Sequence, residues 1–286
     1  MHGNLPSSKK PIEMIFALFF WLVAIIVSGF FVWLVGDVVI QGMPGLNFEF
    51  LTGQPEDFGT EGGILPMIVS TMLVLIVALA VAVPLSIATA LYLSEFSRGS
   101  WTSFVVERGL IILASVPSIV FGLVGYAVFC IYLKMGYSIL SGGLTVACMI
   151  LPIMIRALQA GLKTVPDDYR QASAALAMSK TTTVIKILLP SAAPGLIVGL
   201  VLGIGRVLAE TAALLYTSGS IDKTPGSLFD SGRTLSIHIY KLSQTISAGE
   251  PNAYATALVL LIMLLSINLI AITITDRLLK GGVKVY

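Results

Sequence analysis

The sequence predicts an all-α integral membrane protein with six transmembrane helices and both termini in the cytoplasm. Hydrophobic residues make up 56% of the 286 residues and charged residues only 11%, about half the charged share of an ordinary soluble domain. Uncharged apolar runs recur along the chain, and each is long enough to cross a hydrocarbon core of roughly 30 Å as a helix. These runs are 14–36, 62–94, 109–133, 135–155, 187–205 and 251–275.

The distribution of Lys and Arg over alternate loops predicts the orientation. Cations resist translocation, so the loops richer in Lys and Arg stay inside the cell. One set of segments carries 12 cations and the opposite set carries 4, which places both ends of the chain in the cytoplasm. The first set is Lys9, Lys10, Arg98, Arg108, Arg156, Lys163, Arg170, Lys180, Lys186, Arg277, Lys280 and Lys284, and the second is Lys134, Lys223, Arg233 and Lys241.

The first apolar run is expected to be a retained helix rather than a cleaved signal peptide. Its 23 residues exceed the apolar region of a signal peptide, and no clear small-residue cleavage site follows. The predicted organisation is a cytoplasmic N-terminus with the first helix (1–36), an external loop (37–63) and a five-helix core (64–286). Within the core, 160–190 forms a cytoplasmic loop and 217–253 an external loop.

Three prolines predict kinks in the membrane helices. Pro84, Pro117 and Pro152 lie inside the second, third and fourth runs, and each removes a backbone donor and frees a carbonyl one turn earlier. Kinked helices are usual in transporters, but receptors and channels also contain them.

Residues suited to catalytic or metal chemistry are sparse. Cys130 and Cys148 lie inside apolar runs, where packing is their expected role, and His2 and His238 lie far apart outside the runs. No phosphate-binding loop of the form G-x-x-x-x-G-K-[ST] occurs, so any ATP-driven process needs ATP hydrolysis on another chain. We therefore predict no catalytic residue, no metal site and no cofactor bound by this chain.

The cytoplasmic stretch between the fourth and fifth runs is predicted to form two short helices. Asp167 and Asp168 follow Pro166 and favour a helix start through the helix dipole. A second, amphipathic segment runs from Ser179 to Pro190. By spacing alone, a docking helix held against the inner membrane face and a plain surface loop are both consistent with this stretch.

The residues of this stretch carry a resemblance. The segment 167–190, DDYRQASAALAMSKTTTVIKILLP, resembles the cytoplasmic EAA loop of ABC importer permeases, whose pattern is Glu-Ala-Ala, a Gly a few residues on, and then Ile-x-Leu-Pro. Gln171, Ala172 and Ser173 stand at the triplet, Ala177 at the Gly position, and Ile187, Leu189 and Pro190 at the end. Three of these positions depart from the pattern: Gln171, Ser173 and Ala177.

Four further segments resemble phosphate importer permeases of the PstA type, so that the resemblance extends from residue 62 to the C-terminus. They are AVPLSIATALYLSEF (82–96), ASVPSIVFGLVGYAVF (114–129), GRVLAETAALLYTSG (205–219) and LFDSGRTLSIHIY (228–240). The resemblance implies a type I ABC importer permease in a bacterial or archaeal cytoplasmic membrane, with phosphate as substrate. It also implies three protein partners: a second, similar permease, a cytoplasmic ATPase dimer that carries ATP and Mg, and an external phosphate-binding protein. No nucleic acid is implied. The residues expected to couple to the ATPase are Asp168, Tyr169, Gln171, Ala172, Ser173 and Ala177.

Arg206 and Glu210 are the ionisable residues predicted well inside a span, the fifth. Charges at membrane depth usually face an interior, and the i, i+4 spacing predicts that the two side chains pair. At about 100° per residue both fall on one stripe of the helix, and that face is expected to look into the bundle or across a subunit junction. The stripe also holds Gly195, Gly199 and Gly203, and the opposite face holds Ile197, Ile204, Leu208 and Leu215.

Two interpretations of this pair remain open. It is either a structural ion pair that neutralises itself or a gate, in which Glu210 holds Arg206 at rest and phosphate meets Arg206 during transport. A guanidinium suits the second role because its donor fork matches phosphate oxygens bidentately. Ser115, Ser118 and Thr211 are candidate secondary contacts, although hydroxyls in spans often bond their own helix backbone.

Three other functions compete with phosphate import by an ATP-driven permease. A permease for another oxyanion, such as molybdate, sulfate or a phosphonate, would carry the same pair, because an Arg and a Glu do not distinguish tetrahedral oxyanions. A secondary anion transporter would need no ATPase, and the predicted docking loop argues against it. A membrane-embedded hydrolase would need an intramembrane His, Asp or nucleophile cluster, which the sequence lacks.

Overall fold

The computed structural model describes residues 10–97, 99–244 and 249–280, which are predominantly helical. Strands β1 (Pro55–Glu56) and β2 (Glu61–Gly62) pair antiparallel in a small hairpin. The helices are α1 Lys10–Gly42, α2 Phe48–Thr52, α3 Leu65–Leu91, α4 Trp101–Ser115, α5 Ser118–Gly125, α6 Ile139–Thr164, α7 Asp167–Ala175, α8 Lys180–Thr183, α9 Leu189–Ser191, α10 Ala193–Ala209, α11 Ala212–Thr217, α12 Leu235–Gln244 and α13 Glu250–Lys280. The π-helical segments Tyr92–Phe96, Tyr126–Tyr132 and Val184–Leu188 extend α3, α5 and α8.

Four helical segments in the described part of the chain are long and apolar enough to cross a membrane without a break: Glu13–Gly45, Leu65–Phe96, Ile139–Thr164 and Glu250–Ile274. Two more pass as bent pairs, so there are up to six crossings if each pair counts as one. In the first pair Trp101–Ser115 meets Ser118–Tyr132 at 103°, and in the second Lys180–Ser191 meets Ala193–Ala209 at 64°.

The predicted orientation and segment boundaries are not tested by these helices. The terminal segments 1–9 and 281–286 and residue Arg98, which contribute to the charge count, lie outside the described residues. The cytoplasmic placement of the two ends therefore stays a prediction. Helix α1 continues to Gly42, six residues beyond the predicted end of the first helix at 36.

The third predicted span is broken rather than kinked. Val116 and Pro117 between α4 and α5 are both extended, with ψ angles of 129° and 143°. The residue before a proline is disfavoured in the helical region, and here this preference ends the helix outright. Pro84 and Pro152, in contrast, lie inside the continuous helices α3 and α6.

The glycines of the fifth predicted span pack against α6, but Arg206, which the periodicity places on the same stripe, is 46% exposed. A Cβ atom built on Gly195 would lie 2.7 Å from the Cα of Gly161, so the two backbones approach as closely as small residues allow. Gly199 and Gly203 face Met154 of the same helix. The three helices α3, α6 and α10 share one buried apolar core, which includes Val74, Ile150, Ile204 and Leu208.

Helix α10 ends at Ala209, and this corrects the helical position assigned to Glu210. Glu210 has φ −75° and ψ 124°, which is extended backbone, and a new short helix, α11, begins at Ala212. Leu215 therefore belongs to a different helix from Ile204, and its predicted place on the aliphatic face of one continuous helix is wrong.

The segment 160–190, predicted to be a cytoplasmic loop, contains the two predicted short helical segments. The first is α7, which starts after the extended residue Pro166 and has Asp167 and Asp168 in its first turn. The second runs from Lys180 through α8 and the π-helical turn to α9. The Ser179 hydroxyl accepts a hydrogen bond from the Thr182 amide and so caps this second segment.

Candidate translocation site and coupling segment

Arg206 and Glu210 are in contact, as their spacing predicts. The Nη2 atom of Arg206 lies 3.7 Å from Oε2 of Glu210, which is an ion pair but too long for a hydrogen bond. The same Nη2 atom lies 3.8 Å from Sδ of Met149 on α6, which is a weak acceptor. The guanidinium is thus held loosely, with donors free for another acceptor.

The two members of this pair differ in exposure. The Arg206 side chain is 46% exposed, whereas that of Glu210 is 5% exposed. Val198, Leu202 and Arg206 are spaced by four residues along α10 and form one exposed strip of the helix. No neighbour in the described chain covers this strip. A guanidinium is costly against lipid, and the strip therefore fits a water-filled path or a second protein.

Besides the ion pair, Glu210 accepts two hydrogen bonds that fix its position. Its Oε1 atom accepts from the Ala213 amide at 3.0 Å, which satisfies one free donor at the start of α11. Its backbone carbonyl accepts from the Ser236 hydroxyl at 2.6 Å. These tertiary contacts stabilise the break between α10 and α11, so Arg206 is the member of the pair that is free to move.

The short helices that follow the two breaks pack against each other. A Cβ atom on Gly122 of α5 would lie 2.8 Å from the Cα of Ala213 on α11. Broken helices at membrane depth are tolerated where the protein buries them or where they line a cavity, and transporters build substrate sites from them. The geometry therefore places Glu210 at a junction suited to that use.

Ser115, Ser118 and Thr211, the secondary substrate contacts predicted from the sequence, make no hydrogen bond to Arg206 or Glu210 among the described residues. The Ser115 hydroxyl donates to the Ile112 carbonyl of its own helix at 2.7 Å. Ser118 starts α5 and Thr211 precedes α11, so both stand at the breaks. Their roles as substrate contacts stay predictions.

The predicted coupling residues form the surface of α7 and its C-terminal turn. Asp168, Tyr169, Gln171 and Ala172 are exposed, as a docking surface requires. Ser173 is buried instead, and its hydroxyl donates to the Tyr169 carbonyl at 2.7 Å. Ser173 thus packs α7 against the rest of the chain rather than facing a partner.

Ala177 adopts the conformation that the Gly position of the motif calls for. Its φ angle is +51°, the left-handed region in which a residue with a Cβ is strained by about 1–2 kcal/mol. Left-handed residues of this kind commonly end helices. The departure from Gly at this position therefore leaves the backbone shape intact and costs stability.

An ion pair that the sequence does not reveal ties α7 to the end of α3. Arg170 donates from Nη2 to Oε1 of Glu95 at 2.6 Å and from Nε to Oε2 at 3.2 Å, a bidentate arrangement. The pKa of Arg170 is raised, first of all by the hydrogen bonding to Glu95. Since 75 residues separate the partners, their pairing has no signal in local spacing.

A second polar cluster missed by the sequence lies in the segment between the fifth and sixth crossings. Buried Arg233 lies 3.3 Å from Oδ2 of Asp222 and donates to the Ser220 carbonyl at 3.0 Å. Neighbouring His238 is fully buried. Burial, and then the charge of Arg233, lowers the pKa of His238 to about 3, so this imidazole is neutral at physiological pH.

A comparison with known protein families identifies the family of this chain. Residues 82–281 match the family of binding-protein-dependent transport system inner membrane components. The chain belongs to this family. It is 30% identical over 267 residues to the probable ABC transporter permease protein YqgI of Bacillus subtilis, a match that covers 88% of this chain and 91% of that protein.

Other relatives of this permease carry a substrate in their names. It is 32% identical over 236 residues to the phosphate transport system permease protein PstA 2 of Mycobacterium bovis, covering 82% of this chain and 77% of that protein. It is 33% identical over 249 residues to PstA of Mycobacterium leprae, covering 83% and 80%. The inward-facing MetNI methionine ABC transporter has a similar fold, with a TM-score of 0.53 at 15% identity over 78% of this chain and 95% of that one.

These matches confirm the predicted fold class and general role. The protein is a multi-pass inner-membrane permease with the type I importer fold, and it is a transport subunit rather than an enzyme. Membership implies an ATPase and a substrate-binding protein as partners. The segment 167–190 accordingly has the composition and the exposed helix expected of the EAA-type loop.

Proposed function

We propose that this permease imports inorganic phosphate, driven by ATP that a cytoplasmic ATPase dimer hydrolyses with Mg. A second, similar permease completes the membrane unit, and an external phosphate-binding protein delivers the substrate. The observation that carries the proposal is Arg206, a guanidinium on an uncovered face of α10 whose carboxylate partner is fixed elsewhere. The names of several relatives support phosphate as the substrate.

The proposed mechanism uses the asymmetry of the ion pair. At rest Glu210 neutralises Arg206, and at 3.7 Å the contact leaves the donor fork without a carboxylate hydrogen bond. Phosphate entering along the uncovered strip accepts from that fork bidentately, while Glu210 stays on the Ala213 amide. When phosphate leaves, Arg206 returns to Glu210, so the charge in the path is never left without a counter-ion.

A reconstituted complex tests the substrate. Proteoliposomes that contain this chain, the second permease and the ATPase, with the binding protein added outside, are expected to take up labelled phosphate only when ATP is inside. Unlabelled sulfate and molybdate are expected to compete weakly, because the binding protein selects phosphate. Strong competition by either ion would make the chain a permease for that oxyanion, and uptake without the ATPase would make it a secondary transporter.

The conservative variant Arg206→Lys tests the bidentate contact. It keeps the charge but loses the fork, so we expect uptake to fall about tenfold at equal amounts of assembled complex. Uptake at the wild-type rate would contradict the bidentate part of the mechanism and leave only the charge.

A further inference from the structure

Arg170 connects three elements at the cytoplasmic end of the molecule. Besides its two hydrogen bonds to Glu95 at the end of α3, it donates from Nη1 to the Val165 carbonyl at 3.1 Å. Its Nη2 atom also donates to the Leu162 carbonyl of α6 at 3.4 Å. A cation is favourable at a helix C-terminus, so one guanidinium ties α7, the last turn of α6 and the extension of α3 together.

This tie is shielded from water. The side chains of Arg170 and Glu95 are 20% and 7% exposed, and a bidentate pair with so little solvent is held far more strongly than an exposed one. Asp167, which is itself 70% exposed, adds a further contact, with Oδ1 at 3.1 Å from Nη1 of Arg170. Breaking the pair would leave the Glu95 carboxylate nearly buried without its cation.

Helix α7 has little else to fix it. Ser173 is its single buried residue in the described structure. Two cavities, of about 310 and 200 Å³, both include Glu95 and Arg170 in their lining. The buried apolar contacts of the segment 167–190 come from Val184 and Leu188, which line the second cavity and lie outside α7. The position of α7 relative to α3 therefore depends chiefly on Arg170.

We propose that Arg170 and Glu95 are positioning residues that make the docking helix α7 move as one body with α3 and α6. This inference rests on the proposed function, in which the ATPase moves α7. Helices α3 and α6 pack against the buried side of α10 rather than its exposed strip, so a displacement of α7 is transmitted to the helix that holds Arg206. Without the tie, α7 rocks in its cavities and ATP hydrolysis no longer drives transport.

The first test is the ratio of phosphate taken up to ATP hydrolysed in proteoliposomes. Glu95→Gln keeps the shape of the side chain and removes its charge, and we expect the ratio to fall about tenfold while ATP hydrolysis stays within about twofold of wild type. Glu107→Gln, at the rim of the 310 Å³ cavity, is the matched control and is expected to keep the wild-type ratio. An unchanged ratio for Glu95→Gln would overturn the proposal.

A cross-linking rescue separates positioning from folding. In a background with Cys130→Ala and Cys148→Ala, the double variant Glu95→Cys/Arg170→Cys is expected to be uncoupled. Bridging the two cysteines with a short bifunctional methanethiosulfonate should restore coupling, and a reductant should abolish it again. Bridging that leaves the ratio low would contradict a positioning role.

A distance measurement keeps the proposal testable if these variants do not assemble. Spin labels at Ala174 on α7 and Leu85 on α3, which are both exposed, should keep one distance in the nucleotide-free and ATP-trapped complexes. A change of several ångströms in the otherwise wild-type complex would overturn the single-body proposal. If the wild-type complex takes up no phosphate, the proposed function fails, and this distance still tests the tie itself.

Discussion

Two arginine–carboxylate pairs of this permease are built in opposite ways. Arg170 and Glu95 meet across 75 residues of sequence through two hydrogen bonds, and both side chains are largely buried. Arg206 and Glu210 are four residues apart, meet at 3.7 Å, and leave the arginine 46% exposed. The same two chemical groups thus form a fixed joint between α7 and the end of α3 and a loose contact at the broken fifth crossing.

The first pair is built to hold two helices together, and the second is built to let an anion replace its carboxylate. A desolvated bidentate pair resists separation because each partner would be left without a counter-ion. A long, half-exposed contact is weak, so a passing anion can replace the carboxylate. We therefore expect substitutions at the first pair to change the coupling between ATP and transport, and substitutions at the second pair to change transport itself.

Arg206→Gln is expected to have the largest effect on uptake. Removal of the charged fork takes away charge-assisted hydrogen bonds to phosphate, and uptake should fall about 100-fold with complex assembly preserved. Labelled-phosphate uptake at equal amounts of reconstituted complex measures this. The matched control is Arg156→Gln, in the C-terminal half of α6, for which we expect nearly normal uptake. An equal loss in both variants would remove the distinction between the sites.

Acidification is expected to destabilise the segment around His238. The folded-state pKa of about 3 lies below the unfolded value of about 6.5, so the unfolded chain binds more protons as the pH falls through 6.5. Stability is therefore full above pH 6.5 and should decrease by about 2 kcal/mol between pH 7 and pH 5. Thermal unfolding in detergent at both pH values checks this, and His238→Gln should flatten the dependence. A wild-type curve without a slope would contradict the neutral buried imidazole.

Two substitutions at Glu210 separate its two contacts. Glu210→Gln loses the charge but keeps an oxygen for the Ala213 amide, whereas Glu210→Ala loses both. We expect the alanine variant to be less stable than the glutamine variant by about 1 kcal/mol, the usual value of a capping hydrogen bond. Thermal unfolding of the two variants measures the difference, and equal stability would mean that the carboxylate does not support the break.

Ala177→Gly is expected to have the smallest effect, and a favourable one. Glycine relieves the strain of the left-handed backbone, which should raise the free energy of unfolding by about 1 kcal/mol. The control Ala174→Gly, within α7, should lower it by about 0.5–1 kcal/mol because glycine disfavours a helix interior. If both variants lose stability, the assigned conformation of Ala177 is wrong.

The sequence predicted the features that depend on periodicity and composition. Apolar run lengths indicated the crossings, and the spacing of Gly195 and Gly199 indicated the face that packs on α6. The resemblance also placed Ala177 at the Gly position, where the backbone proves to be left-handed. These features are local, so a short window of sequence contains their cause.

The features that the sequence missed depend on distant partners. The helix break at Glu210 is stabilised by Ser236, 26 residues later. The sequence from 205 to 211 contains no proline that would predict a break there. From the sequence alone, Arg170 is one of 12 cations predicted to be cytoplasmic, and Glu95 is only the residue that follows the apolar run 62–94. Contacts between remote residues arise only when the helices pack, so neither pairing could be inferred from spacing.

The contrast between the two arginines can be measured directly. The chain is labelled with ¹⁵N-arginine and reconstituted with unlabelled partners, and the guanidinium signals are assigned by their loss in Arg206→Lys and Arg170→Lys. Phosphate should shift the Arg206 signal and leave the Arg170 signal in place, and Glu210→Gln should move the Arg206 signal without phosphate. An Arg206 signal that does not respond to saturating phosphate in the assembled complex would contradict the account.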